Sequence, residues 1–216
     1  MRRYDGSDPA QRTAGLTDAI ASAKRGDLVL ANADGAYVLL TDAFSARGVR
    51  LLREFKQRPD MNVPVLVGRP ETFDGIAMTS GAGALAAREL IKACWPGALT
   101  LIATTQPMLT WECTPAQLVA VRMPLHPWTL ELVRAIGPTA AVPAHDHDAE
   151  PVTSVDAVEE RLGAAVSVVL DGGPCLADQM SSVVDVTGEP VMVRGGAFTF
   201  EYLQRLTPAL ARRLVD

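Results

Sequence analysis

Four cations stand where charge needs a reason. Arg122 interrupts the apolar run LVAVRMP (Leu118 to Pro124), Arg194 closes VMVR ahead of Gly195 and Gly196, and Lys56 and Arg58 end a helix-like segment just before Pro59. A guanidinium offers a planar fork that fits carboxylate or phosphate through two hydrogen bonds, and an ammonium supplies a compact charge. Taken alone, each reads as a surface side chain that snorkels its charge to water. Arg122 is the hardest to place that way, because its neighbours are apolar.

Other polar residues carry two readings each. Ser181 and Ser182 could donate hydroxyls to an anion, or form the polar start of the strand-like run SVVDV. Asp34 could hold magnesium or orient a ligand, but Asp34-Gly35 is first of all a turn dipeptide. Tyr37, in a short strand-like run, reads as core with its hydroxyl at the rim, and as cavity lining second. In His145-Asp146-His147-Asp148, extended backbone would point both histidines the same way, toward a shared transition metal. A third ligand is not evident, so a solvated or ligand-proximal loop is expected and no metal site. Serine-nucleophile chemistry is excluded by the lack of G-x-S-x-G and of a histidine placed to serve a serine. The phosphate-cradling patterns GxxxxGK[ST] and GxGxxG are also missing, which removes the P-loop and Rossmann readings.

The elements that must position these residues follow from periodicity and punctuation. Asp8-Pro9 reads as N-cap and first turn of a helix that Gly26 stops after Lys24. Leu28 to Asn32 and Tyr37 to Leu40 read as strands about a turn, and a helix from Ser45 carries Val49, Leu51, Leu52 and Phe55 on one side. Val63 to Gly68 is strand-like, Gly83 to Trp95 helical up to Pro96-Gly97, and Ala98 to Ala103 and Leu118 to Pro124 strand-like again. Pro127 opens a helix to Gly137, Thr139 to Ala144 is a strand, and a helix from Val155 to Leu162 leads to the strand Ser167 to Asp171. Ser182 to Val186 and Val191 to Arg194 complete the strands, and helical pattern runs from Phe200 to the end. About nine strands interleaved with six helices predict an α/β or mixed α+β sheet with packed helices.

At 216 residues with 48% hydrophobic and 21% charged residues, the chain is composed like an ordinary globular protein, and one domain over 1–216 is expected. Its net charge of -5 repels phosphate backbones, so nucleic acid would need a local basic patch. Cys94, Cys113 and Cys175 lie far apart without metal-ligand spacing, which fits a reducing compartment. The start MRRYDGSDPAQ lacks an apolar stretch behind its arginines, and no apolar run reaches the ~18 residues of a membrane span. A soluble, cytoplasmic protein without a membrane partner is expected.

Six segments, in order, resemble the YrdC-like threonylcarbamoyl-AMP synthase family. They are Asp34 with Tyr37 for P-T-D-T-x-Y-G, Lys56-Gln57-Arg58 for K-x-R, Pro96-Gly97-Ala98-Leu99-Thr100 for P-G-x-x-T, Val121-Arg122-Met123-Pro124 for V-R-x-P, Ser181-Ser182-Val183-Val184-Asp185 for S-T-x-V-D, and Arg194-Gly195-Gly196 for R-x-G. None is specific alone; the order and spacing carry the resemblance, which covers nearly the whole chain. It implies a twisted, mostly open sheet with one large concave cavity, in which threonine or another amine, bicarbonate and ATP with Mg2+ meet to form threonylcarbamoyl-AMP for tRNA adenosine modification. Lys56, Arg58, Arg122 and Arg194 would hold anions, Ser181 and Ser182 phosphates, and Asp34, Tyr37 and His145 would line the cavity; no catalytic residue is assigned.

The chain departs from the family where the amine should sit. Asn32-Ala33-Asp34-Gly35 replaces P-T-D-T, Val38 replaces the following glycine, and Pro143-Ala144-His145 replaces S-A-N, so hydroxyl and amide groups are missing. Two functions follow. The first is a synthase with altered substrate or reduced activity; the second is a catalytically inactive module of the same fold that binds a nucleotide, tRNA or double-stranded RNA. Amino-acid-dependent release of pyrophosphate from ATP belongs only to the first.

Overall fold

The computed structural model describes residues 1–114, 117–146, 149–158, 163, 165–175 and 180–213. In chain order these form β1 (Arg2–Asp5), α1 (Pro9–Lys24), β2 (Leu28–Asn32), β3 (Tyr37–Asp42), α2 (Ala46–Phe55), β4 (Val65–Leu66), α3 (Thr72–Ile76), β5 (Ala77–Met78) and α4 (Gly81–Cys94). Then come β6 (Leu99–Thr105), β7 (Leu118–Arg122), α5 (Pro127–Ile136), β8 (Thr139–Pro143), β9 (Val166–Asp171), β10 (Ser182–Asp185), β11 (Val191–Arg194), α6 (Phe200–Leu206) and β12 (Ala211–Arg212). Helix starts are fixed locally. Asp8 Oδ1 accepts from the Ala10 and Gln11 amides at 2.9 and 3.3 Å, and Ser45 Oγ accepts from Gly48 N at 3.1 Å, so each cap satisfies amides that the first turn leaves free.

The strands join one mixed sheet in the order β1-β9-β2-β3-β8-β4-β7-β6-β10-β11-β12, with β5 pairing β6 off that path. Residues far apart in sequence therefore become neighbours: β9 enters between β1 and β2, and β8 between β3 and β4. One buried cluster packs α1 and α5 on the sheet through Ala19, Ala23, Trp128, Leu132 and Val133 against Val29, Leu40 and Val168. A larger cluster gathers Val49 and Leu52 of α2, Ala86, Ala87 and Leu90 of α4, and strand residues including Leu39, Leu99 and Val121.

Several expectations need correction. Arg2–Asp5 is an edge strand paired parallel to β9, although its polar sequence has no strand pattern; register with Val168 to Asp171 holds it. The short α3 and β5 carry too few residues for a period. The last helix does not run to the terminus: it ends at Leu206, because Pro208 disfavours helical backbone at Thr207, and a two-residue strand follows. Of the helix expected over Val155 to Leu162, residues 155–158 form turns and 159–162 lie outside the described residues. Among the described residues no helix is long and apolar enough to cross a membrane.

Candidate functional site

Strand register builds the site. Leu66 of β4 pairs with Arg122 of β7, Arg122 with Thr100 of β6, Thr100 with Val183 of β10, and Val183 with Arg194 of β11. Paired residues point to the same face. Five side chains from across the sequence thus form one row over five strands, and all five line a cavity of about 270 Å³.

The cavity is divided by composition. Its polar half lies over β7, β6, β10 and β11, where Arg122, Thr100, Ser181 and Arg194 converge. Its apolar half lies over β3, β8 and β4 and the turn joining β2 to β3, where Ala33, Gly35, Val38, Leu66, Ala141 and Pro143 form the wall. His145, just past β8, lines this half as its polar member and is buried; its Nδ1 accepts from Val152 N at 3.4 Å.

Each cation of the polar half is held differently. Arg122 Nη2 donates to the Ala33 carbonyl at 2.7 Å and lies 3.3 Å from Asp34 Oδ2. Burial pushes the Arg122 pKa down and Asp34 opposes that, while the positive charge of Arg194 adds to it. Arg194 donates to the Ser181 carbonyl from Nε at 3.2 Å and Nη2 at 2.8 Å, and to Ser181 Oγ at 3.0 Å. Thr100 Oγ1 donates to the same Ser181 Oγ at 2.9 Å. Burial lowers the Arg194 pKa, and among the described residues Arg194 has no carboxylate partner. Among the described residues the polar half so carries one guanidinium paired with a carboxylate and one without, an arrangement that attracts an anion.

The remaining candidates are distributed elsewhere. Lys56 Nζ donates to the carbonyls of His145 and, at 3.5 Å, Pro143, so it secures the far edge of the cavity without lining it. Arg58 lies with Arg50, Arg53 and Glu112 in a separate surface depression. Ser182 is fully buried, its Oγ donating to Phe198 O at 2.7 Å and accepting from Phe198 N at 2.9 Å, which commits it to the backbone. Asp34 occupies a turn at φ 72°, and its oxygens accept from Leu125 N at 3.2 Å and His126 N at 2.7 Å besides pairing with Arg122. Tyr37 is buried away from the cavity; its hydroxyl donates to Gly173 O at 2.8 Å or Asp171 Oδ1 at 3.1 Å and accepts from Gly172 N at 3.1 Å. His147 lies outside the described residues.

A family model described as "Telomere recombination", that of the Sua5, YciO and YrdC proteins, matches residues 21–196. The chain belongs to the Sua5/YciO/YrdC family. A Mycobacterium tuberculosis protein provisionally named threonylcarbamoyl-AMP synthase is 39% identical over 201 residues, covering 92% of this chain and 91% of that one. The threonylcarbamoyl-AMP synthase of Bacillus subtilis is 30% identical, covering 88% of this chain and 55% of the other. Pyrococcus abyssi Sua5, solved in complex with L-threonine, superposes with a TM-score of 0.84 at 24% identity, over 98% of this chain and 62% of that chain. E. coli YciO gives 0.78 at 19% identity, over 94% and 97%. At these identities the two structures speak for the fold: a mixed α/β chain on a twisted open sheet.

Thr100 is the cavity residue that sequence reasoning left unassigned. The sequence named it only within Pro96-Gly97-Ala98-Leu99-Thr100, without a role, and the structure sets it on the half-buried face of β6. The apolar half had a signal, in the replaced P-T-D-T and S-A-N positions.

Proposed function

We propose that this chain is an ATP-dependent nucleotidyltransferase of the threonylcarbamoyl-AMP synthase type, as the names of its curated relatives suggest. The observation that carries the reading is the row in which register sets Arg122, Thr100 and Arg194 side by side with Ser181 over one cavity. In the proposed reaction an amino-acid nitrogen bonds to the carbon of bicarbonate with loss of water. A carbamate oxygen then bonds to the α-phosphorus of ATP as pyrophosphate leaves. Arg194, which has no carboxylate partner among the described residues, and the Ser181 hydroxyl would hold phosphate oxygens, and Arg122 the carboxylate or carbamate. Cations fixed in place before reaction stabilise the developing charge without reorganising.

The residues present do not fit a magnesium site made by the protein itself. Among the described residues no three histidine, cysteine or acidic side chains gather, and both Asp34 oxygens are engaged by Arg122 and two amides. Magnesium in this reading accompanies the nucleotide. The product would serve tRNA adenosine modification in the cytoplasm.

The test measures pyrophosphate release from ATP with bicarbonate and amino acid, beside calorimetric titration with ATP. Amino-acid-dependent release supports the synthase. ATP binding without release under any amino acid would leave the inactive binding module as the better account, a reading favoured by the bare side chains at Ala33, Gly35 and Pro143.

A further inference from the structure

We infer that the α-carboxylate of the amino-acid substrate is held by the main-chain amides of Gly35 and Ala36, in the turn between β2 and β3; this rests on the synthase reading above. Both residues are buried and line the cavity. From Ala33 to Tyr37 the other amides are all engaged. Ala33 N donates to Ala36 O at 3.0 Å, Asp34 N to Asn32 Oδ1 at 3.0 Å, and Tyr37 N to Val152 O at 2.8 Å. Gly35 N and Ala36 N have no acceptor among the described residues. Buried amides are nearly always paired, so two successive ones left open on a cavity wall point to an acceptor that arrives with a ligand.

The turn keeps them open. Asp34 takes the left-handed conformation at φ 72°, and its carboxylate is fixed by Arg122, Leu125 N and His126 N. Gly35 is not at positive φ, so backbone conformation does not call for glycine there. What glycine provides instead is a bare main chain that a ligand can approach closely. Where the family pattern has a threonine, this chain turns its main chain to the ligand.

Two adjacent N–H donors suit a carboxylate, because bonds to an ionised acceptor are the stronger ones. Position gives the same answer. Ala33 O accepts from Arg122 Nη2 at 2.7 Å, so the turn abuts Arg122, and Thr100, Ser181 and Arg194 follow beyond it. A substrate with its carboxylate on the turn brings its nitrogen, and the carbamate formed on it, to Arg122, beside phosphates held by Ser181 and Arg194. Carboxylate, carbamate and phosphate then meet their donors in the order in which the product joins them.

The experiment crosses a change in the ligand with a change in the protein. Calorimetric titration in the presence of α,β-methylene-ATP, which cannot release pyrophosphate, measures the affinity of L-threonine and of L-threoninamide, which lacks the carboxylate charge. The parent is compared with Ala36→Pro, which lacks one of the two amides. The parent should prefer threonine by roughly 10- to 100-fold, and Ala36→Pro should cut that preference by about 10-fold, as loss of one hydrogen bond to a charged group requires. Gly35→Val, which sets a branched side chain before the same amides, should lower the preference as well and serves if Ala36→Pro fails to fold. A preference unchanged in every folded variant overturns the inference and leaves the synthase reading intact. So does an equal loss for both ligands, which would put the amides against another part of the substrate. If threonine does not bind and no amino acid elicits pyrophosphate release from protein that still binds ATP, the synthase reading falls and the inference with it.

Discussion

Arg122 Nη2 lies 3.3 Å from Asp34 Oδ2, and this ion pair ties the middle of the sheet to the turn between β2 and β3. Both side chains are nearly out of water, at 13% and 5% exposure, and Asp34 also accepts from the amides of Leu125 and His126 at the entrance to α5. One carboxylate thus joins three segments: the turn, the end of β7 and the lead into α5.

Asp34→Ala should therefore destabilise the fold by about 3 to 5 kcal/mol, since it strands a buried guanidinium and two amides at once. Asp34→Asn retains an acceptor for the amides and should lose less. Urea unfolding of the three proteins checks the order, and an alanine variant as stable as the parent would refute it.

Arg194 and Arg58 should separate cleanly in ATP binding. Arg194 faces the cavity and has no carboxylate partner among the described residues, and Arg58 lies in another depression. Arg194→Ala should weaken ATP by about 1.5 to 3 kcal/mol, the worth of a charge-assisted hydrogen bond, while Arg58→Ala leaves it unchanged. Calorimetric titration with ATP decides. Equal losses in both variants would put Arg58 in the nucleotide site after all.

The neighbouring serines should divide in a similar way. Ser182→Ala removes both hydrogen bonds to Phe198 from a fully buried position and should cost roughly 1 to 3 kcal/mol of stability without changing ATP affinity. Ser181→Ala should weaken ATP binding with little effect on unfolding, because its hydroxyl lies at the cavity between Thr100 and Arg194.

The sequence made visible what depends on local pattern or on motif order. The helices at Pro9, Ser45 and Pro127 announce themselves by caps and proline, and the ordered motifs pointed to the Sua5/YciO/YrdC family before any strand was paired. Register was not visible. Nothing in the local sequence says that Thr100 sits between Arg122 and Val183, so Thr100 went unassigned. For the same reason two adjacent serines looked alike, although Ser181, just before β10, faces the cavity and Ser182, its first residue, turns to the Phe198 backbone. Arg58 was grouped with Lys56 by its motif, but the chain after α2 passes through Gln57 at φ 53°, and the two side chains take separate surroundings.

Tyr37 gives a prediction that depends on pH. It is fully buried, and its hydroxyl contacts Asp171 and the Gly172–Gly173 backbone. Burial pushes its pKa well above the ordinary tyrosine value, and the negative charge of Asp171 and the hydrogen bond to it push the same way. The folded state consequently keeps this proton after the unfolded chain has released it near pH 10. The sign follows: below about pH 10 both states hold the proton and Tyr37 adds no slope, and above it ionisation favours the unfolded chain. Stability should fall by up to about 1.4 kcal/mol per pH unit as pH rises beyond that point. Tyr4, whose hydroxyl donates to Asp18, is shifted in the same direction, so the comparison must be between the parent and Tyr37→Phe. Tyr37→Phe should lose about 1 to 3 kcal/mol at pH 7, where the amide of Gly172 loses its acceptor, yet show a shallower decline above pH 10. The difference in unfolding free energy between the two proteins should therefore narrow as pH rises. Urea titrations from pH 7 to 11 measure it, and parallel curves would mean that Tyr37 ionises as readily in the folded protein as in the unfolded chain.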